Sequence, residues 1–136
     1  MELKPAGDTV TKPANPEYFV GTVLMEPIHV TPGGTHTPVA SLRVTFLPGG
    51  RTNWHTHPAG QTLYVLSGEG RFQTRGARVR RILPGDTIWI PEGEEHWHGA
   101  APHRQMTHIA IQHKVDGITA NWLEPVMEAD YTAAPS

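Results

Sequence analysis

Histidines spaced two residues apart are the feature of this chain best suited to chemistry. Nine of its 136 residues are histidine, and six of these are His55 and His57, His96 and His98, then His108 and His113. The first pair lies in Trp54-His55-Thr56-His57-Pro58-Ala59-Gly60-Gln61 and the second in Pro91-Glu92-Gly93-Glu94-Glu95-His96-Trp97-His98. In an extended strand, residues two apart project to the same side, so an H-x-H step aims two imidazoles at one point. Neutral imidazole is the commonest metal ligand among side chains. A lone histidine reads most simply as a surface residue. Two pairs in a similar turn-and-strand setting point instead to a metal centre. His29, His36 and His103 fall in turn-rich sequence and carry no assigned role, and His113 is expected to face solvent.

Such pairs need short strands to hold them, and the sequence supplies these. Fourteen glycines and thirteen prolines punctuate brief apolar runs, the pattern of many strands joined by tight turns. Strands are expected over 19–25, 39–46, 62–67, 70–75, 79–83, 87–90 and 105–112. Residues 119–129, with Trp122, Leu123, Val126 and Met127, form the best helix candidate, although Pro125 limits it to a short piece and an extended arm is the alternative. Alternation assigns faces: Met106, His108, Ala110 and Gln112 share one side of the last strand, while Ala40, Leu42, Val44 and Phe46 share one side of an earlier one. Arg43 and Thr45, on the opposite side, are expected to meet solvent. An all-β chain must protect its sheet edges, which predicts a jelly roll or small barrel with an interior cavity.

Composition narrows the functional classes. The length fits one domain. Cysteine is absent, so there is no disulfide, thiolate ligand or thiol nucleophile, which is compatible with a cytoplasmic setting. No apolar run is long enough to cross a bilayer and no signal peptide is read at the start. The formal charge of −2 gives no support to nucleic acid or an anionic membrane as partner. The basic cluster Arg75, Arg78, Arg80 and Arg81 reads as the solvated face of a hairpin.

Residues 49–100 resemble both motifs of the cupin family. The first is met by Gly49, His55, His57 and Gly68, with Gln61 where the family carries an acid; the second is met by Gly85, Pro91, Gly93 and His96, with Ala100 where an asparagine is usual. The resemblance implies an all-β cupin double-stranded β-helix, a jelly-roll barrel over residues 18–118, with an N-terminal arm at 1–17 and a C-terminal extension at 119–136. It implies that His55, His57, His96 and Gln61 bind a divalent metal. Three nitrogens and one oxygen leave one or two positions open on a six-coordinate ion, a mixed donor set that suits manganese or iron and leaves zinc, nickel and copper open. A glutamate would cancel one charge of the ion, whereas the neutral amide of Gln61 leaves the site at formal +2, a stronger Lewis acid. His98 is expected to face the same cavity as His96, and His108 and Gln112 to look inward from the next strand.

The runs from Arg51 to Leu63, from Gly93 to Pro102 and from Met106 to Gln112 are similar to those of small bacterial cupins that include manganese-dependent hydroxynitrile lyases. This resemblance implies a lyase that cleaves or forms cyanohydrins such as mandelonitrile, with manganese as its metal first and iron second. His98, His108 and Gln112 would flank the substrate, one of the two histidines taking its hydroxyl proton, and Ala40, Leu42, Val44, Phe46 and Ala110 would line the pocket. The partner is then a small molecule, and the protein a homo-oligomer, dimer or tetramer. An iron-dependent dioxygenase cleaving carbon–carbon bonds and a non-catalytic small-molecule-binding cupin are the two other readings.

Overall fold

The computed structural model describes all 136 residues. Alternating apolar and polar side chains build two antiparallel sheets that face each other. The first contains β1 (Lys12–Pro13), β3 (Val23–Val30), β4 (Val39–Phe46), β7 (Gln61–Gly68), β10 (Thr87–Ile90) and β12 (Met106–His113), in the spatial order β1-β3-β4-β12-β7-β10. The second runs β13 (Asn121–Trp122), β6 (His55–Thr56), β11 (His96–Ala100), β5 (Arg51–Thr52) and β2 (Phe19–Val20), and β8 (Gly70–Thr74) joins β11 to β9 (Arg80–Ile82). A 3-10 turn at Ala6–Asp8 and a one-turn helix, α1 (Glu128–Tyr131), complete the chain.

The expected alternation is present in β12. Met106, His108, Ala110 and Gln112 are buried, while Ile111 and His113 are exposed. In β4, Ala40, Val44 and Phe46 are buried and Arg43 is exposed. The inward residues of both sheets meet in a core that includes Phe19, Val44, Phe46, Leu63, Val65, Ile90, Met106 and Ala110. Gly68 shows how tightly the β7 end is folded: its φ is +81°, and an added Cβ would sit 1.8 Å from the carbonyl oxygen of Gln105. Only glycine combines that backbone conformation with that approach.

Three sequence expectations are corrected. The run 19–25 is two strands, β2 and β3, because Gly21 breaks it with a φ of +77°. Residues 119–129 do not form a helix: Trp122 pairs with His55 as part of β13, and the only α-helical turn starts at Glu128, beyond Pro125. The histidine pairs differ in setting: β11 carries both His96 and His98, whereas β6 carries His55 and His57 follows it in the turn.

Residues of the second sheet that point away from the cavity are covered by the C-terminal segment. Trp97, between His96 and His98, packs with Trp54, Val79, Val126 and Tyr131 in a second buried cluster. Arg51 lies 4.0 Å over the Tyr131 ring and pairs with Glu128 at 3.0 Å. The basic hairpin is solvated, with Arg75 bonded to Glu95 and Glu124, and Arg81 to Glu69.

Candidate metal centre

Five histidines converge between the sheets, and each is nearly sealed from solvent: His55, His57, His96, His98 and His108 are all at most 3 % exposed. β6 and the turn after it bring His55 and His57, β11 brings His96 and His98, and β12 brings His108. The register His96 opposite His55 sets two of the rings 4.2 Å apart between centroids. His57 is 4.9 Å from His55 and 5.3 Å from His96. Nitrogens of His55, His96 and His98 lie within 4.8 Å of one another. A three-histidine group could therefore hold a divalent ion, and four imidazoles are close enough to compete for the three places.

Hydrogen bonds distinguish among those four. His55 Nδ1 meets the Asn53 carbonyl at 2.9 Å, His57 Nδ1 the Thr119 carbonyl at 2.6 Å and His96 Nδ1 the Glu94 carbonyl at 2.9 Å. A carbonyl can only accept, so Nδ1 carries the hydrogen in each ring. A neutral ring then keeps its lone pair on Nε2. For His57 and His96 that atom is buried without a partner. Backbone carbonyls holding the far nitrogen are the usual way a ligand imidazole is oriented. His98 differs: its Nδ1 pairs with His108 Nε2 at 3.0 Å.

Gln61 presents another buried atom without a partner. Its amide nitrogen donates to the Gln112 side-chain oxygen at 2.8 Å, which fixes the amide orientation and leaves Gln61 Oε1 buried without a hydrogen-bond partner. An unsatisfied buried acceptor costs about 1–3 kcal/mol, which a cation would relieve. His57 Nε2, His96 Nε2 and the Gln61 carboxamide oxygen are thus orphaned beside His55, a donor set that fits a borderline or hard divalent ion. His98 Nε2 and His108 Nδ1 are orphaned on the hydrogen-bonded histidine pair.

Burial and mutual repulsion hold these imidazoles neutral. Desolvation, then the neighbouring His96 and His57, push His55 well below its ordinary pKa. Desolvation and then His108 do the same to His98. His96 and His108 are each lowered to about 4, chiefly by burial. Desolvation also lowers His57, opposed by its bond to the Thr119 carbonyl and by the nearby Gln61 amide. Neutral rings are the metal-binding and proton-accepting form.

The histidines open on a cavity of about 90 Å³. Its polar side is His55, His57, Gln61, His98, His108 and Gln112; its apolar side includes Leu42, Val44, Phe46 and Ala110 from the expected set. Ala40 is buried beside Gln112 in the sheet register but is not part of the cavity wall. Phe19, Met25, Thr52, Thr119, Ala120 and Trp122 complete the lining. Sequence alternation could not find Phe19, Thr119, Ala120 and Trp122, because they come from segments that fold back over the barrel from either end, whereas Met25 faces the cavity from β3 beside Val44. His113 is exposed and bonded to Thr37, and His29 lines an open cleft under the N-terminal arm.

Comparison with known proteins agrees with this geometry. Residues 42–111 match the cupin domain model. The chain is 46 % identical over 131 residues to an (R)-mandelonitrile lyase from Granulicella tundricola, covering 96 % of this chain and 98 % of that one. It is similar to the crystal structure of a cupin-like protein from Thermotoga maritima, with TM-score 0.83 and 37 % identity over 90 % of this chain and 92 % of that one. The fold is shared with the polyketide cyclase RemF from Streptomyces resistomycificus at TM-score 0.69 and 18 % identity, covering 96 % of this chain and 90 % of that one. The two facing sheets, the buried histidine cluster and these matches lead to one conclusion: the chain belongs to the cupin family.

Proposed function

We propose that the protein is a manganese-dependent hydroxynitrile lyase, acting on cyanohydrins such as mandelonitrile and, in reverse, adding cyanide to aldehydes. The observation that carries this reading is the carboxamide oxygen of Gln61, fixed by Gln112 and left without a partner among neutral imidazoles. The near full-length relationship to a mandelonitrile lyase supports the reaction class. His55, His57, His96 and Gln61 would hold the ion. His57 is favoured over His98 for the third nitrogen because its Nδ1 is held by a carbonyl while His98 is already engaged with His108. With no carboxylate in the set, a bound divalent ion keeps its full charge and supplies Lewis acidity that acidifies a hydroxyl held beside it.

The chain's own groups carry the remaining work. His98 Nε2 is buried and unpaired on a ring that lines the cavity, so it accepts the hydroxyl proton. In that state His98 Nδ1–H donates to His108 Nε2, which spreads the new positive charge over two rings. The carbon–carbon bond to the nitrile then breaks, the oxygen becomes the aldehyde carbonyl, and the pair of bonding electrons leaves with cyanide. The imidazolium of His98 returns its proton to cyanide, giving HCN and restoring the neutral pair. Gln112 keeps Gln61 oriented. Leu42, Val44, Phe46 and Ala110 hold the substituent and exclude water.

His55→Ala is expected to lose both manganese and cleavage of mandelonitrile. His98→Ala is expected to keep manganese and lose cleavage by about 10²–10⁴-fold. Stoichiometric oxygen uptake, instead of oxygen-independent HCN release, would mark the protein as an oxygenase.

The same reading treats residues 18–118 as the catalytic barrel, with 1–17 as an arm and 119–136 as an extension. It also proposes a homo-oligomer, supported by the apolar outer face of the first sheet, where Trp89 is 61 % exposed beside Tyr64 and Ile111.

A further inference from the structure

Trp122 lies outside the matched cupin segment of residues 42–111, yet its ring stacks on a histidine of the metal centre. β13 adds to the edge of β6 with Trp122 opposite His55. The indole and the His55 imidazole are 4.7 Å apart and inclined by 29°. On its other contacts the indole lies nearly parallel to Tyr18, 4.7 Å away at 8°, and 5.3 Å from Phe19. Tyr18 and Phe19 come from the N-terminal side of the barrel and Trp122 from the C-terminal side, so the two ends of the chain close together over the cavity that Trp122 and Phe19 line.

Asn53 ties these ends to the same histidine. Its side-chain nitrogen donates to the carbonyls of Glu17 at 3.0 Å and Leu123 at 3.3 Å, and its backbone nitrogen donates to Tyr18 at 2.8 Å. Its own carbonyl accepts the Nδ1 hydrogen of His55. His55 is thereby held at Nδ1 and on one ring face, with only Nε2 left free to bind. Three residues before Trp122 in the same segment, the Thr119 carbonyl holds His57.

We propose that Trp122 is a positioning residue that fixes the His55 imidazole and seals the cavity, so that the C-terminal segment sets how fast the metal escapes. This rests on the metal reading above. Removing the indole takes away the support on the ring face, so that His55 is held only at Nδ1, and opens a path from the ligands to water. An aromatic replacement keeps the stack and most of the seal. Effects of outer contacts on metal binding run to about tenfold or more, and escape rate reads them directly.

The experiment loads wild type, Trp122→Ala, Trp122→Leu and Trp122→Phe with Mn(II). Release to excess 4-(2-pyridylazo)resorcinol is then followed by absorbance, with the Tm of each metal-free protein measured alongside. Trp122→Ala should release Mn(II) at least about tenfold faster than wild type with a Tm within a few degrees. Trp122→Phe should stay within about threefold. Trp122→Leu keeps bulk without a ring to stack, so it should also release faster, and it carries the test if the alanine variant does not fold. Release at the wild-type rate from the folded alanine or leucine variant overturns the inference while leaving the metal reading intact. A wild-type protein that takes up no Mn(II) overturns both.

Discussion

At the scale of single residues, the site is defined by what each polar atom lacks. The Nδ1 hydrogens of His55, His57 and His96 are spent on backbone carbonyls and the amide hydrogen of Gln61 on Gln112. Only lone pairs remain to face inward. Gln61→Glu puts a negative charge where the orphaned oxygen lies. It is expected to tighten Mn(II) binding, measured by competition with a chelator, and to lower kcat for mandelonitrile by at least about tenfold, because the ion's charge is partly cancelled. The same burial makes the metal-free protein acid-sensitive. In the unfolded chain a histidine takes up its proton near pH 6.5, whereas buried His96 and His108 do so only at about 4. Between these values the unfolded state binds more protons, so stability is fully present above pH 6.5 and falls as pH drops towards 4. Each histidine contributes a slope of about 1.4 kcal/mol per pH unit. Urea unfolding of the metal-free protein at pH 7, 6 and 5 should show this decline, and bound metal should steepen it, since protons compete for the same nitrogens.

At the scale of elements, alternation made part of the site legible and sequence locality hid the rest. Residues two apart on β4 and β12 share a face, so Phe46, Val44, His108, Ala110 and Gln112 could be placed on the cavity side from their spacing alone. The turn prolines and glycines bounded β4 and β10 correctly. Short strands of two residues, such as β5, β6 and β13, exist only because a distant partner supplies their hydrogen bonds, and no local pattern announces them. For this reason Trp122 and Thr119 could not be recognised as neighbours of His55 and His57. Of the two readings of 119–129, the extended one holds, because packing of Val126 and Tyr131 against Trp97 keeps the segment extended until Glu128. Turn geometry gives a prediction at this scale. Gly68→Ala should destabilise the fold far more than Gly76→Ala. Both glycines have positive φ, but only at Gly68 does the added Cβ collide with backbone. The left-handed conformation alone costs about 1–2 kcal/mol, so Gly76→Ala should lose about that much in urea unfolding, and Gly68→Ala clearly more.

At the scale of the whole molecule, both chain ends serve the interior. The C-terminal segment covers Trp97 on one side of the second sheet and delivers Trp122 to the cavity on the other. The outer face of the first sheet is left apolar, with Trp89, Tyr64 and Ile111 exposed on neighbouring strands. If this face joins two copies, Trp89→Glu should shift the mass measured by light scattering to the monomer without lowering the activity per chain. An unchanged mass would place the interface elsewhere or exclude one. The most direct test of the whole account is release of benzaldehyde from mandelonitrile under argon, measured on the metal-stripped protein before and after one equivalent of Mn(II). We expect negligible cleavage before and full recovery after, without oxygen. Cleavage by the stripped protein at the reconstituted rate, or none with manganese bound, would contradict a site whose uncancelled charge drives the reaction.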